Sequence, residues 1–406
     1  MKDEHSRWLL VALGFIALGL AFSSRAFLSL SMVEWESEFG WSKSMISGIS
    51  ALGLIIMAAI APIVGHSVDR YGARPVLTVG LVATGVGSLF MASMQTQTMF
   101  VISYSVISAL GFGIVSMHVV VSGIAPAFDR KRGLATGIAS GGATGGQLLF
   151  VPLFSVLLSW WGWRTGYSAM AIVTLITAFV LWFSLKNQNP ATATQAGTHS
   201  PNTIISQLSG LSKSRVFHAL FWSFTLCGFT TAGVIETHFL PYASICGYTP
   251  VVGATAFGVL SAFNLLGMIF AGYLSDKMNN VVLLFGIYLV RALSFILLLY
   301  IGLDIKLLFM FSVVFGLFDY STVPVTASLV AKHLGLQSMG LIMGVLAMGH
   351  ALGAASGAWV GGIVFDLFSS YMNVWLTSVA LAMLSAIFVL IIPQRPSAVG
   401  DTINSI

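Results

Sequence analysis

Charge is what this chain has least of. Its 406 residues include 18 Lys and Arg and 13 Asp and Glu, so only 8% are charged, whereas a soluble domain carries about 25%. So little charge cannot cover a surface facing water, and lipid is the expected solvent for most of the chain. Cysteine is nearly absent too. Cys227 and Cys246 lie in or beside apolar segments, with no CxxC spacing and no partner histidine pattern, which reads as two small apolar side chains rather than a disulfide or a metal site. There is no GxxxxGK[ST] loop, so ATP is not the energy source, and HExxH and GxSxG are also missing. No enzyme, no metal site and no cofactor is therefore expected. The net charge of +5 is not the footprint of a nucleic-acid partner, because its basic residues sit in short loops.

What the chain has in excess is apolar surface. Hydrophobic types reach 57%, with 42 Gly and 10 Trp. A bilayer span needs about 20 apolar residues. Breaking the sequence at charges, prolines and polar clusters predicts twelve spans: 8–33, 44–66, 74–93, 98–124, 133–158, 166–185, 215–244, 252–274, 281–302, 306–331, 338–364 and 370–392. Runs such as 287–301 are apolar on every side, without the alternation of a β-barrel, so helices must satisfy the backbone in lipid. The N-terminal apolar run is too long for a signal peptide and no small-residue cleavage site follows, so it reads as a retained first helix. Residues 186–214 are rich in Asn, Gln, Thr, Ser and Pro and read as a flexible cytoplasmic linker. The expectation is an all-α membrane protein of twelve transmembrane helices. A six-helix bundle fills 1–185, the linker 186–214, and a second six-helix bundle with a short tail 215–406.

Lys and Arg set the orientation. With the N-terminus inside, the inner segments hold Lys2, Arg7, Arg70, Arg74, Arg130, Lys131, Arg132, Lys186, Lys213, Arg215, Lys277, Lys332 and Arg395, and the outer loops only Lys43, Arg164 and Lys306. Thirteen against three places both termini in the cytoplasm and also supports an even number of spans. Short loops, no glycosylation sequon and no targeting peptide favour a bacterial inner membrane.

The halves repeat. The second span ends in Gly65-His66-Ser67-Val68-Asp69-Arg70-Tyr71-Gly72-Ala73-Arg74, and the eighth, which is the second plus six, in Gly272-Tyr273-Leu274-Ser275-Asp276-Lys277. Paired parallel halves are a transporter signature. The loop residues Gly65, Asp69, Arg70, Gly72 and Arg74, with the reduced copy at Gly272, Asp276 and Lys277, make the chain resemble the major facilitator superfamily. Within it the chain is similar to the monocarboxylate porters and their bacterial relatives. The matching stretches are Glu38-Phe39-Gly40-Trp41-Ser42, Arg130-Lys131-Arg132-Gly133-Leu134-Ala135-Thr136-Gly137, Gly162-Trp163-Arg164 and His238-Phe239-Leu240-Pro241-Tyr242. One departure stands out. Those porters carry an acid and an arginine four residues apart in the eighth helix, where this chain has Asn264 and Met268.

The resemblance implies a secondary transporter working by alternating access, with helices 1, 4, 7 and 10 around a central cavity. Ionisable residues inside spans are costly and need a partner or water. They are Arg25, His118, Glu236, His238, Arg291, Asp319 and His350, and five of these seven fall on the four cavity helices. Arg25 is the first choice for a substrate carboxylate, because a guanidinium stays charged and offers paired donors; a structural ion pair with Glu236 is the other reading. His118, Gln147, Asn264 and His350 are further substrate-contact candidates, although a lone buried histidine is more often a packing residue. Glu236 and Asp319 are the candidate proton carriers, with His238 near the outer end of its helix. Asp319 has the alternative of neutralising Arg291. Asp69, Arg70, Arg74, Arg130, Asp276 and Lys277 are expected to form gating clasps, the acids accepting from helix-start amides or pairing with the bases. Glycines at 133, 137, 141 and 145, and at 349, 353, 357 and 361, predict faces for close helix contact. Trp160, Trp161 and Trp163 read as an interfacial belt.

The expected activity is movement of a small organic solute, an anionic carboxylate, coupled to protons or another ion, by a monomer in the lipid bilayer. An exporter of a metabolite, siderophore or drug stays open as the alternative, and a transporter-like sensor or scaffold as one of another class.

Overall fold

The computed structural model describes residues 2–41, 43–185 and 204–394. Residues 186–203 of the predicted linker, with Lys186, and Arg395 of the tail lie outside the described residues, as do the side chains of Lys2 and Lys43.

The described chain is helical almost throughout. Its spans are α1 (Lys2–Phe39), α2 (Lys43–Tyr71), α3 (Ala73–Ala92), α4 (Gln97–Ala127), α5 (132–161), α6 (163–184), α7 (Arg215–Ile245), α8 (Pro250–Ser275), α9 (Asn280–Leu298), α10 (Ile305–His333), α11 (Met339–Phe368) and α12 (Met372–Leu390). Eleven described helices are long and apolar enough to cross a membrane, and α5 completes the twelve-helix pattern. A single residue, Gly162, separates α5 from α6. Its φ of 78° lies in the left-handed region that only glycine enters without strain, so the chain reverses there without a loop. Five other helices start on side-chain caps. Thr96, Ser214, Thr249, Asn279 and Asp304 each accept a hydrogen bond from an amide in the first turn. A further helix, Ile204–Leu211, occupies the C-terminal part of the stretch expected to be a flexible linker.

Large apolar side chains stand exposed, among them Leu149, Phe179, Phe183, Trp359 and Leu367, at 64–72% of full exposure. Water would penalise such a surface, whereas lipid solvates it. Trp160 and Trp161 are exposed as well, at the end of α5.

The chain forms two compact units, one of 1–128 with 138–197 and one of 129–137 with 198–406. The first turns of α5 thus belong with the second unit. In the first unit α4 packs against α2 and α3. Around the C-terminal end of α1, Trp35 meets Phe100, Trp163 and Tyr167 edge-on or stacked. In the second unit α9 packs on α12, α8 on α10 and α7 on α11, and Phe239, Phe295, Phe311, Phe315 and Trp375 form the aromatic core.

The glycine faces show where backbones touch. A Cβ on Gly353 or Gly357 would meet the carbonyl oxygens of Thr225 or Phe229 on α7, and one on Gly361 would meet the His238 ring. In α5, Gly133 and Gly137 lie against α8. Further along, the close approach to Phe15 and Gly19 of α1 falls at Gly142 and Gly146, one position beyond the predicted 141 and 145.

Two spans are interrupted at matching places. α4 breaks at Val115 and Ser116, the latter extended (φ −115°, ψ 161°), before restarting at Met117. α10 breaks after Phe318 and restarts at Thr322. α4 is the fourth helix of its half and α10 the fourth of the other. Each of α4 and α7 also contains a π-helical stretch, Val101–Ser108 and Phe229–Ile235. Such stretches shift the facing of every later residue and recur at functional sites.

At the C-terminal end of α1, Glu38 accepts from the Trp163 ring nitrogen (2.8 Å) and from Arg164 (2.7 Å), while Glu34 accepts from the Trp163 amide (3.2 Å). Burial pushes the Glu38 carboxyl up, but these two donors and the Arg164 charge outweigh it and hold the carboxyl below its ordinary value. A depressed carboxylate stabilises the fold above its unfolded value and loses that contribution as pH falls through the folded value. The fastening of α1 to the α5–α6 turn is therefore complete at neutral pH and released in the acid range below about pH 4.5. Glu34 is shifted upward by burial, so a single variant is needed to isolate Glu38. Thermal melts from pH 7 to pH 3 are expected to show a smaller acid-induced loss in Glu38→Gln than in wild type; parallel curves would refute the assignment.

Candidate functional site

In the second unit, polar side chains converge on the break in α10. Asp319 ends the first arm of α10 and is 5% exposed. Its Oδ2 accepts from Asn264 Nδ2 of α8 at 3.2 Å, and its Oδ1 has no hydrogen-bond partner. The other end of the same amide is also engaged, because Tyr320 N–H donates to Asn264 Oδ1 at 3.1 Å. The break makes this possible: an amide at a helix interruption lacks its normal carbonyl and takes a side chain instead. The Tyr320 hydroxyl reaches α7 and donates to Glu236 Oε1 at 2.5 Å. Glu236 is exposed and directly follows the π-helical stretch of α7.

Arg291 lies deeper and is fully buried. It donates to Cys227 Sγ at 3.0 Å and to Thr230 Oγ1 at 2.9 Å, both on α7, and its charge also sits over the Tyr288 and Phe315 rings. Asp319 is near enough for the two charges to act on each other, yet the bonds of Arg291 go to a sulfur and a hydroxyl. Cys227 is thus more than the small apolar residue its sequence setting suggests; it is a hydrogen-bond acceptor for a buried cation. His350 packs on Phe224 with 4.9 Å between ring centroids, and Gly228 beside Cys227 touches its carbonyl. His238 is committed on both sides, with Nδ1 3.3 Å from the Tyr371 hydroxyl and Nε2 3.0 Å from the Ala358 carbonyl.

The first unit holds the other candidates. Arg25 is half-buried on α1, with its guanidinium 5.3 Å from the Phe22 ring centre. Gln147 of α5 donates to the Phe22 carbonyl at 3.2 Å, one turn from Arg25. Among the described residues of this unit, no carboxylate pairs with Arg25. His118 opens the second arm of α4, with Nε2 3.3 Å from the Ser116 hydroxyl in the break. The structure therefore brings Arg25 together with Gln147, and Asn264 with Asp319 and Glu236. Arg25 and Glu236 lie in different compact units.

At the helix ends the two motif copies differ. Asp276 accepts from the amides of Gly133 (2.7 Å) and Leu134 (2.9 Å), the opening turn of α5. A carboxylate on unsatisfied helix-start amides is a strong, charge-assisted contact. Lys277 stacks on Tyr273 at 4.2 Å. In the first half Asp69 is half-buried, Arg70 sits over the Tyr71 ring at 5.3 Å, and Arg74 over the Trp182 ring at 4.3 Å. Arg130 is exposed and belongs with the second unit.

Tyr320, Thr230 and Cys227 escape sequence reasoning, because tyrosine, threonine and cysteine are ordinary in apolar spans. The available signal was Asp319, an acid inside a span with a tyrosine and a serine after it.

The family model described as the Major Facilitator Superfamily matches residues 14–316. A Bacillus subtilis protein described as an uncharacterized MFS-type transporter is 26% identical over 397 residues, covering 96% of each chain. Monocarboxylate transporter 13 of Bos taurus is 22% identical, over 90% of this chain and 84% of its own length. Among solved structures, the E. coli fucose:proton symporter superposes with a TM-score of 0.76 at 16% identity, covering 94% of this chain and 97% of that one. A proton:xylose symporter gives 0.71 at 18% identity, covering 95% and 94%.

Proposed function

Because the chain belongs to the Major Facilitator Superfamily, we propose that this multi-pass membrane transporter moves a small organic anion, with a carboxylate as first choice, in company with protons. Alternating access of its two halves would carry the solute across the cytoplasmic membrane, with both chain ends inside and the monomer as the working unit. The observation that carries the proton coupling is Asp319. It is an acid in mid-span, buried, with one oxygen bonded to Asn264 and the other unpartnered. Arg291 spends its hydrogen bonds on Cys227 and Thr230, and Asp319 Oδ1 is left without a partner and open to a proton. Glu236 supplies a second, exposed carboxyl on the same hydrogen-bonded chain. The names of the relatives, monocarboxylate transporters, and of the structural neighbours, proton symporters, agree with this reading.

Arg25 is assigned to the substrate anion, with Gln147, His118 and His350 as neutral hydrogen-bonding groups. Asn264 spends both ends of its amide on α10 and so serves the proton site rather than the solute. His238 is likewise committed to α11 and α12. Asp276 on the first turn of α5 is assigned to gating, together with Lys277 and the first-half group Asp69, Arg70, Arg74 and Arg130. Release of those two amides in each cycle would let the start of α5 move.

An export reading draws on one observation. Met268, where porters of the similar group carry arginine, is fully buried, and its carbonyl lies against Gly137. Efflux from preloaded vesicles under an opposing proton gradient would favour it over uptake.

The test of the anion site is uptake of a panel of small carboxylates by Arg25→Ala vesicles. Loss of a charged hydrogen bond costs about 1.5–3 kcal/mol, so apparent affinity is expected to fall on the order of tenfold to a hundredfold. Uptake equal to wild type would remove Arg25 from the site.

A further inference from the structure

The two carboxyl groups assigned to proton transfer are linked through two residues, Tyr320 and Asn264. Tyr320 donates from its hydroxyl to Glu236 Oε1 (2.5 Å) and from its main-chain amide to Asn264 Oδ1 (3.1 Å), and Asn264 Nδ2 donates to Asp319 Oδ2 (3.2 Å). We propose that Tyr320 is a positioning residue that makes the hydrogen bonding of Asp319 depend on the state of Glu236. The proposal rests on the proton-carrier reading of those two acids.

The hydrogen-bond inventory makes the link directional. Asn264 Oδ1 can only accept and Nδ2 can only donate. Because the Tyr320 amide holds Oδ1, the NH2 end is forced to face Asp319. Asp319 Oδ2 is therefore held as an acceptor, and Oδ1, without a partner, is the oxygen left for a proton. At the other end, the Tyr320 hydroxyl makes a charge-assisted bond to an ionised Glu236, whereas a protonated Glu236 offers only a neutral, weaker acceptor or its own O–H as donor. Loss of the charge weakens the bond that seats the tyrosine ring and loosens its hold.

The backbone then carries the change. Tyr320 is not inside a helical arm, because the first arm of α10 ends at Phe318 and the second begins at Thr322. A turn without a regular ladder can rotate more readily than a helix interior, and here it holds Asp319, Tyr320 and Ser321 in succession. Ser321 Oγ is anchored back to the Leu317 carbonyl at 2.5 Å, which closes the turn on its far side. Any rotation that follows the Tyr320 ring therefore alters the amide bond to Asn264 and, through it, the seat of Asp319. The charged groups that act on this seat are Arg291 from α9 and Glu236 from α7.

The alternative is a staple that only pins α10 to α7. Infrared difference spectroscopy of the purified, full-length protein separates the two. The Glu236 and Asp319 carboxyl bands are identified as those lost in Glu236→Gln and Asp319→Asn. Tyr320→Phe removes the hydroxyl alone and keeps the ring and the amide. The proposal expects both bands to shift in Tyr320→Phe, and expects substrate-driven proton movement in vesicles to slow on the order of tenfold while substrate exchange without net proton movement stays near wild type. A shift of the Glu236 band alone would establish the staple and overturn the proposal. If neither acid gives a pH-dependent band in wild type, the proton-carrier reading itself fails, and the proposal with it.

Discussion

Asp319→Asn is expected to abolish substrate-driven proton movement while leaving substrate exchange measurable. The substitution preserves size and can still meet Asn264, so the break in α10 keeps its shape. What disappears is the only group at that seat able to take up a proton. The effect should be at least on the order of a hundredfold, because no side chain within the Asn264–Tyr320 pair can replace it. Stability should fall as well. Arg291 is fully buried and bonded to Cys227 and Thr230, and Asp319 is a carboxyl near enough to act on its charge. Removing one member of a buried charge pair costs about 3–5 kcal/mol. Adding Arg291→Met should then restore the melting temperature without restoring proton movement. Restoration of both would show that Asp319 only balances Arg291.

Gly353→Leu is expected to give little folded protein. Even the first carbon of a side chain there would meet the Thr225 carbonyl oxygen, and Gly357, one turn on, faces the Phe229 carbonyl. These neighbours are main chain, so they cannot swing aside, and α7 and α11 would have to separate. Overpacking costs about 1–3 kcal/mol, occasionally more, and a main-chain obstacle puts this site at the upper end. The same separation would displace Thr225–Phe229, the stretch that carries Cys227 beneath Arg291. Gly362 is the control. It has nothing within 4 Å of its would-be Cβ, so Gly362→Ala should melt like wild type. Equal melting temperatures for Gly353→Leu and Gly362→Ala would contradict the close contact of α7 with α11.

The spans were legible because lipid demands long apolar helices, and charge and polarity mark their ends. The α11 glycines were legible for the same reason, four-residue spacing being a helical face. The breaks were not. Neither Val115-Ser116 nor Asp319-Tyr320-Ser321 contains glycine or proline, and serine and tyrosine occur freely in apolar spans. Asp319 and His118 were picked out as costly ionisable groups, yet Asp319 is tied to its interruption by a tertiary hydrogen bond to Asn264 that a linear pattern does not display, while His118 meets the break through the nearby Ser116. In α5 a run with adjacent glycines, Gly141-Gly142 and Gly145-Gly146, left the facing undecided by one residue, and the contact with α1 uses the second of each pair. The helix at Ile204–Leu211 was hidden by the polar composition around it.

Proton movement in vesicles holding the purified protein tests the central claim most directly. A panel of small carboxylates and zwitterions would be added outside, and internal pH followed in wild type and Asp319→Asn. The account predicts a carboxylate-triggered signal in wild type that Asp319→Asn lacks. A folded wild-type protein that moves no protons with any carboxylate, or an Asp319→Asn protein that moves them as fast as wild type, would contradict it.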